Sequence, residues 1–306
     1  MTTPATPPPG WSSRSLGNRF QHGIFQFLIR LGGQRAAMPL LYAVALYYVL
    51  LRPAVRRRFA PYLSRRFPGT TAWQRLGLAY RLAVEFGTVL IDRAAVGICG
   101  FDANSTTLSG RETLLALLAE GHGAVLLTAH VGCWQIVMAA LSFIRVPVHL
   151  LMVREEGDLD RHYFEYRGLA CPFQIIDPSG FLGGSIELLQ ALKRGDMVSI
   201  MGDRMFGSRK NAVAVPFVGD TAQFPVSPFK IAAAAGAPVV VVLSHRTGPA
   251  RYHLEVAKVI RVPNHPHLSP AELGPLVAQY SQCLDDYVTR HPFQFFNFSA
   301  KFFNDV

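Results

Sequence analysis

The chain has 306 residues, of which 50% are hydrophobic and only 16% are charged, and its formal net charge at pH 7 is +10. Soluble domains usually carry about 25% charged residues, so part of this surface is expected to meet something other than water. A basic surface suits anionic phospholipid, an acidic carrier protein or nucleic acid. The arginines cluster beside an apolar segment and no nucleic-acid motif is present, which favours the membrane and argues against nucleic acid.

The cysteines indicate neither a disulfide framework nor a metal site. They show no paired spacing and no ligand pattern with histidine. The four positions are Cys99, Cys133, Cys171 and Cys283. We therefore expect single buried thiols in a reducing compartment, and no metal or bound cofactor.

The N-terminal part predicts a leader followed by a membrane-associating segment. Residues 1–19 are rich in Pro, Thr and Ser and predict a disordered leader, whereas residues 20–66 are first apolar and then basic. The uncharged run Ala36–Leu51 would reach about 24 Å as a helix, short of the roughly 30 Å core of a bilayer. The arginines that follow predict an anchor, spanning or interfacial, whose carboxyl end faces the cytoplasm. A helix hairpin buried in the protein with a solvated basic face is the alternative.

Residues 67–306 predict one α/β domain. A helical pattern covers 71–96, and Ser109 with Glu112 predicts a capping box for a helix that ends at Glu120. Strands and helices then alternate, which predicts a mostly parallel sheet flanked by helices. The strands are predicted at 124–129, 146–153, 173–177, 197–202, 212–217, 238–245 and 252–260, and the helices at 134–143, 159–168, 183–194, 227–236 and from a Ser269 cap to about Arg290.

A histidine at the end of a predicted strand is the first candidate for chemistry. The stretch AVLLTAHVGCWQIVMA, residues 124–139, is a strand that breaks before His130 and becomes helical from about Trp134. Open α/β sheets place their ligands at this edge. The positive end of the following helix disfavours imidazolium and should keep His130 neutral, as a general base requires. A lone histidine at a strand end is more often structural, so the assignment also depends on its neighbours.

The run His130, Val131, Gly132, Cys133, Trp134, Gln135 resembles the signature of the lysophospholipid acyltransferase superfamily, and within it the bacterial lipid A lauroyl/myristoyl branch. In that signature a histidine is followed after four residues by an acid, and Gln135 stands here in the place of the acid. The resemblance implies a glycerol-3-phosphate acyltransferase-like fold. It also implies transfer of a fatty acyl group from an acyl thioester, carried by acyl carrier protein or CoA, to a hydroxyl of a lipid or lipid-linked acceptor.

A second group of residues matches the same branch near its acceptor cleft. The strand predicted at 197–202 ends in Asp203, Arg204 and, three residues later, Gly207. Arg204 could clamp a phosphate, and Asp203 could orient it or lend His130 the charge that Gln135 lacks. A surface Asp–Arg pair in a strand-end turn is the alternative. Arg154 and Arg167 match further basic positions near the acceptor, with ordinary surface arginines as their alternative.

The sequence therefore supports three alternative hypotheses of function. The first is a membrane-bound O-acyltransferase at the cytoplasmic face of the inner membrane, with His130 and Gln135 as its catalytic pair. The second is a catalytically silent lipid-binding homologue, in which Gln135 marks lost chemistry. The third is a thioesterase-like hydrolase with Cys133 as nucleophile and His130 as base. The aromatic tail, residues 291–303, could line an acyl groove or cover the core.

Overall fold

The computed structural model describes residues 19–100, 102, 105–137, 141, 143–152, 173–178, 181–204, 211–265, 267–299 and 302–303. The predicted leader lies outside these residues except for Arg19, and the predicted helix 159–168 lies outside them entirely. So do three of the candidate site residues: Arg154, Arg167 and Gly207.

Three helices form the N-terminal layer: α1 (Arg19–Leu51), α2 (Pro53–Arg66) and α3 (Ala72–Cys99). Helix α1 is kinked where Gly32 and Gly33 leave helical geometry. Beyond the kink, a residue at every fourth position is buried, because one helix face packs on α3: Ala37, Leu41, Ala45 and Val49. The other side of this part of α1 leaves large apolar side chains exposed, among them Leu46 (47%) and Leu51 (66%), and Phe27 (63%) is exposed before the kink.

A buried carboxylate ties this layer to the sheet. Asp92 of α3 is 1% exposed and accepts hydrogen bonds from Gln34 of α1 (2.5 Å), Arg246 (2.6 Å) and Tyr252 (2.9 Å). Burying a charge without partners costs several kcal/mol, and these donors offset that cost. The helical layer and the sheet are thereby held in one arrangement.

The central sheet has seven strands in the order β1-β9-β8-β2-β5-β3-β4. Neighbouring strands from β8 to β4 run parallel, whereas β9 is antiparallel to β8 and parallel to β1. The bounds are β1 Thr106–Ser109, β2 Ala124–Thr128, β3 Val148–Leu151, β4 Gln174–Ile176, β5 Met197–Met201, β8 Val239–Gly248 and β9 Arg251–Ile260. This confirms the predicted mostly parallel sheet.

The remaining elements surround this sheet. Their bounds are α4 Arg111–Ala119, α5 Trp134–Val137, α6 Ser185–Lys193, α7 Ser227–Ala235 and α8 Pro270–Arg290, with a separate hairpin of β6 Ala212–Phe217 and β7 Asp220–Pro225. Helix α8 begins at the predicted capping box, in which Ser269 and Glu272 bond each other's backbone N–H groups. The central strands are buried on both faces, so their apolar runs are continuous rather than alternating.

Two local predictions differ from the structure. Ser109 does not cap α4: it ends β1, and its hydroxyl oxygen lies 3.1 Å from His253 Nε2, so Gly110 takes the N-cap position instead. Strand β7 is absent from the strands predicted from the sequence. The pairing of β6 with β7 ends at Phe217 and Asp220, and the two residues between them, Val218 and Gly219, are both at positive φ, as a two-residue hairpin turn requires.

Candidate active site

His130 and Asp203 follow neighbouring parallel strands. His130 comes two residues after β2, and Asp203 two residues after β5, with Thr128 paired to Met201 in the register of the two strands. Both loops therefore leave the sheet at the same edge and at the same level. This edge, at the carboxyl ends of the strands, is where open α/β sheets place ligands.

The two side chains form a hydrogen-bonded pair. His130 Nδ1 lies 2.8 Å from Asp203 Oδ1, and the His130 backbone N–H donates to Asp203 Oδ2 over 3.0 Å. Both oxygens of the Asp203 carboxylate are thus hydrogen-bonded to His130. The His130 side chain is 19% exposed, whereas that of Asp203 is fully buried. This geometry fixes the ring, and Asp203 as acceptor selects the tautomer that carries its proton on Nδ1, leaving Nε2 able to accept one.

The environment holds the pair as a neutral imidazole and a carboxylate. Burial lowers the pKa of His130 below its usual 6.5, with the charge of Asp203 acting in the opposite direction and Arg204 adding to the lowering. Burial alone would raise the pKa of Asp203, but His130 and Arg204 outweigh it and hold that pKa below its usual value. The expected neutral state of His130 therefore has burial as its main cause, whereas the sequence had suggested the helix end.

The C-terminal segment ties both loops together. Phe296 N–H donates to the His130 carbonyl over 2.7 Å, and Gly132 N–H donates to the Gln294 carbonyl over 3.3 Å. The Asn297 side-chain amide donates to the backbone carbonyl of Asp203, and Asn297 is itself only 3% exposed. The sequence did not single out Asn297. One polar residue within an aromatic run was its single local sign, and its partner lies 94 residues away.

Close backbone packing explains the glycines of the two loops. Gly132 has a φ of 52°, and a Cβ there would collide with the carbonyl oxygen of Ser244 in β8. A Cβ on Gly202 would lie 2.7 Å from Leu127 and 3.0 Å from the ring of Tyr280. Both loops are thus pressed against the sheet and α8, which restricts the positions that His130 and Asp203 can take.

The other predicted site residues have different surroundings. Gln135 lies in α5 and is 4% exposed, whereas the His130 ring is hydrogen-bonded to Asp203. Burial lowers the pKa of Arg204 to about 10, against the opposing charge of Asp203, so the guanidinium remains a cation at neutral pH. Burial raises the pKa of Cys133 to about 11, the opposite of what a reactive thiolate requires. Within the described part of the chain, no cluster of three or more His, Cys, Asp or Glu side chains could hold a metal ion.

Comparison with known proteins identifies the family of the chain. The sequence profile of the bacterial lipid A biosynthesis acyltransferases matches residues 16–303. The chain belongs to this family. Two curated relatives from Mycobacterium tuberculosis, strains CDC 1551 / Oshkosh and ATCC 25618 / H37Rv, are both described as phosphatidylinositol mannoside acyltransferase. Each is 30% identical over 134 residues, and the alignment covers 42% of this chain and 41% of the relative.

The charge state of the pair in this family member can be measured by titrating its histidine ring signals by NMR. We expect the His130 midpoint to lie below 6.5, because burial is the largest effect on its pKa. Asp203→Asn should lower that midpoint further, since the carboxylate raises it. The signal that is missing from the spectrum of His130→Gln is that of His130. The control substitution Asp286→Asn removes an exposed acid of α8 and should leave the His130 midpoint unchanged. A midpoint that rises in Asp203→Asn would contradict the assigned pair.

Proposed function

We propose that this chain transfers a fatty acyl group from an acyl thioester to a hydroxyl of a lipid or lipid-linked acceptor, with His130 as general base and Asp203 as its charged partner. The observation that carries the proposal is the 2.8 Å contact between His130 Nδ1 and the fully buried Asp203 carboxylate. Membership of the family and the description of the relatives as acyltransferases support the reaction class. The donor, acyl carrier protein or CoA, remains a proposal that follows from the family resemblance.

The proposed step begins with the acceptor hydroxyl. Its oxygen attacks the thioester carbonyl carbon while its proton moves to His130 Nε2. The C–S bond then breaks, the acyl group stays on the acceptor oxygen, and the proton on Nε2 passes to the leaving thiolate. The imidazolium that exists between these transfers is stabilised by Asp203, which also holds the Nδ1–H. Gln135 supplies no charge to this step, so Asp203 takes the electrostatic role that the family assigns to an acid at position 135.

The proposed fold class and location extend the same resemblance. Five parallel strands with His130 and Asp203 at their carboxyl edge support a glycerol-3-phosphate acyltransferase-like sheet. For location, His22–Leu51 is long and apolar enough to cross a membrane, yet α1 packs along α3, which carries Arg75, Arg81 and Asp92. We therefore favour an interfacial position of α1 at the cytoplasmic face of the inner membrane over a spanning one.

A set of three substitutions tests the proposed dyad in an acyl-transfer assay that follows the acylated lipid by mass spectrometry. His130→Ala should abolish transfer. Asp203→Asn should lower kcat by about 10³- to 10⁴-fold, since an amide offers one acceptor oxygen to two donors and no counter-charge. Gln135→Glu should not accelerate transfer, because the His130 ring already has the Asp203 carboxylate as its partner and the added carboxylate would be buried.

A second histidine–carboxylate pair in the same sheet is the matched control. His149 Nε2 lies 2.9 Å from the buried Asp196, at the amino end of β5 and thus at the opposite edge from the candidate site. Asp196→Asn should keep kcat within about threefold of the wild-type value in the folded fraction, consistent with the small effects of changes outside the site. Full activity of folded His130→Ala would refute the mechanism. A large gain in Gln135→Glu would instead mean that Asp203 does not act as the counter-charge.

Arg204 is proposed to bind the acceptor. It follows Asp203 directly and is a partly buried cation. Arg204→Ala should raise the acceptor KM by about 10-fold or more, the size of one charge-assisted hydrogen bond, and leave donor thioester hydrolysis without acceptor comparatively intact. Arg261→Ala, which removes an exposed arginine paired with Glu120, should change neither. An unchanged acceptor KM in Arg204→Ala would mean that Arg204 does not bind the acceptor and only supplies a neighbouring charge to Asp203.

Membrane association through α1 can be tested by flotation of the full chain with vesicles that contain phosphatidylglycerol. Replacing three exposed apolar residues of α1 by serine should reduce the bound fraction by about 10- to 100-fold, given the apolar area that each buries in a membrane. The three are Phe27, Leu46 and Leu51. The matched control replaces Leu115 and Ile186, which are each 42% exposed on the α/β part, and should float like the wild type. Equal flotation of both variants would contradict the role of α1.

A further inference from the structure

The net positive charge of the chain lies in the helical layer. Residues 19–100 contain twelve arginines and two acids, Glu85 and Asp92. Asp92 is buried and bonded to Arg246, so it does not neutralise the surface. Residues 101–306 contain seventeen basic and eighteen acidic residues, which nearly cancel. The net charge of +10 therefore belongs to the layer that carries the exposed apolar face of α1.

An apolar groove opens in this layer between α2 and the first turns of α3. Its volume is about 490 Å³, within the roughly 300–1,000 Å³ of ligand sites. The walls are mostly aliphatic, and none of them belongs to the His130 loop, the Asp203 loop or the C-terminal segment. The lining residues are Arg56, Ala60, Leu63, Ala72, Trp73, Arg75, Leu76 and Ala79.

The rim of the groove combines cations with an exposed tryptophan. Trp73 is 83% exposed, an unusual position for the largest apolar side chain except where it meets a partner or a membrane interface. The Arg75 guanidinium is exposed and has no hydrogen bond, ion pair or ring contact with the part of the chain that the structure describes. Arg56 caps the end of α1 by donating to the carbonyls of Val49 (2.5 Å) and Leu50 (2.7 Å). The groove thus lies directly beside the carboxyl end of the apolar helix.

We propose that this groove holds one anionic phospholipid of the leaflet with which α1 associates. An acyl chain lies against Leu63, Leu76 and Ala79, and the phosphate lies between Arg56 and Arg75. A zwitterionic lipid would fit less well, because its choline ammonium would lie among arginines. The two acids of this layer are the buried Asp92 and the partly buried Glu85. The proposal rests on the membrane association proposed for α1, but not on the chemistry of His130.

The test measures which lipid contacts Trp73 when the total charge of the membrane is held constant. The full chain is bound to vesicles with equal parts of phosphatidylglycerol and phosphatidylcholine, and one of the two lipids carries bromine on its acyl chain in each preparation. Bromine quenches tryptophan at short range, and the remaining signal of Trp73→Phe is subtracted to isolate Trp73. If the groove selects the anionic lipid, brominated phosphatidylglycerol should quench Trp73 at least about twice as strongly as brominated phosphatidylcholine, since a charge-assisted bond of this kind favours one lipid more than 10-fold.

Matched variants separate the groove from general surface attraction. Arg75→Gln should abolish the difference between the two lipids. Arg58→Gln removes the same charge from an exposed arginine of α2 that does not line the groove, and should keep the difference while weakening vesicle binding by about fivefold. Ala60→Phe fills the groove at an exposed position without changing charge, and should also abolish the difference.

Three results would overturn the groove proposal: equal quenching by the two lipids in the wild type, a difference that survives in Arg75→Gln, or the same loss in Arg58→Gln as in Arg75→Gln. Failure of the wild type to float with vesicles would contradict membrane association itself, and the groove lipid with it. Acyl transfer measured in detergent is independent of all four results.

Discussion

The buried carboxylate of Asp203 is the constraint on which the candidate site depends. A carboxylate with no exposure is stable only if its oxygens accept hydrogen bonds and a positive group lies nearby. His130 supplies two donors, its backbone N–H and its Nδ1–H, and Arg204 supplies the charge. Both donors must leave the sheet at the level of Asp203, which the pairing of Thr128 with Met201 ensures. The same bonds that stabilise the buried acid therefore orient the imidazole, so the site is preorganised before a substrate arrives.

The C-terminal segment completes this arrangement. Its backbone pairs with the His130 loop through an antiparallel bridge between Val131 and Phe295. The Asn297 side chain donates a hydrogen bond to the backbone carbonyl of Asp203. Its aromatic rings are buried against Phe217 and Tyr62, so the segment cannot move away without exposing a large apolar area. The aromatic tail was expected either to line an acyl groove or to cover the core. These contacts show that it covers the core, and that it also positions the His130 and Asp203 loops.

The sequence predicted those features of the fold that a local residue pattern determines. Continuous apolar runs such as 124–127 and 239–243 can only be central strands or buried helix, and their short length identified strands. The resemblance to the family made Asp203 a candidate partner for His130, 73 residues away, and the structure places both at the same edge of the sheet. The pattern S-x-x-E, by contrast, has two outcomes. At Ser269 it caps a helix, whereas Ser109 ends strand β1, because β1 pairs with β9 and the Ser109 hydroxyl is hydrogen-bonded to His253. That pairing joins residues about 146 positions apart in the chain, a distance over which no local pattern carries information.

A series of hydrogen bonds connects the apolar helix α1 with the His130 loop. Gln34 of α1 donates to Asp92, which accepts from Arg246; the Arg246 N–H donates to the Gln294 side chain, and the Gln294 carbonyl accepts from Gly132. Displacing α1 relative to the loop would leave at least one of these groups without its partner, at a cost of about 1–3 kcal/mol for each neutral group and more for Asp92. The height of His130 above the apolar face of α1 is therefore fixed by the fold. In the proposed membrane-associated arrangement, a lipid acceptor that stays in the membrane must reach that height, so the position of its reacting hydroxyl relative to the membrane surface is restricted before any contact in the site itself.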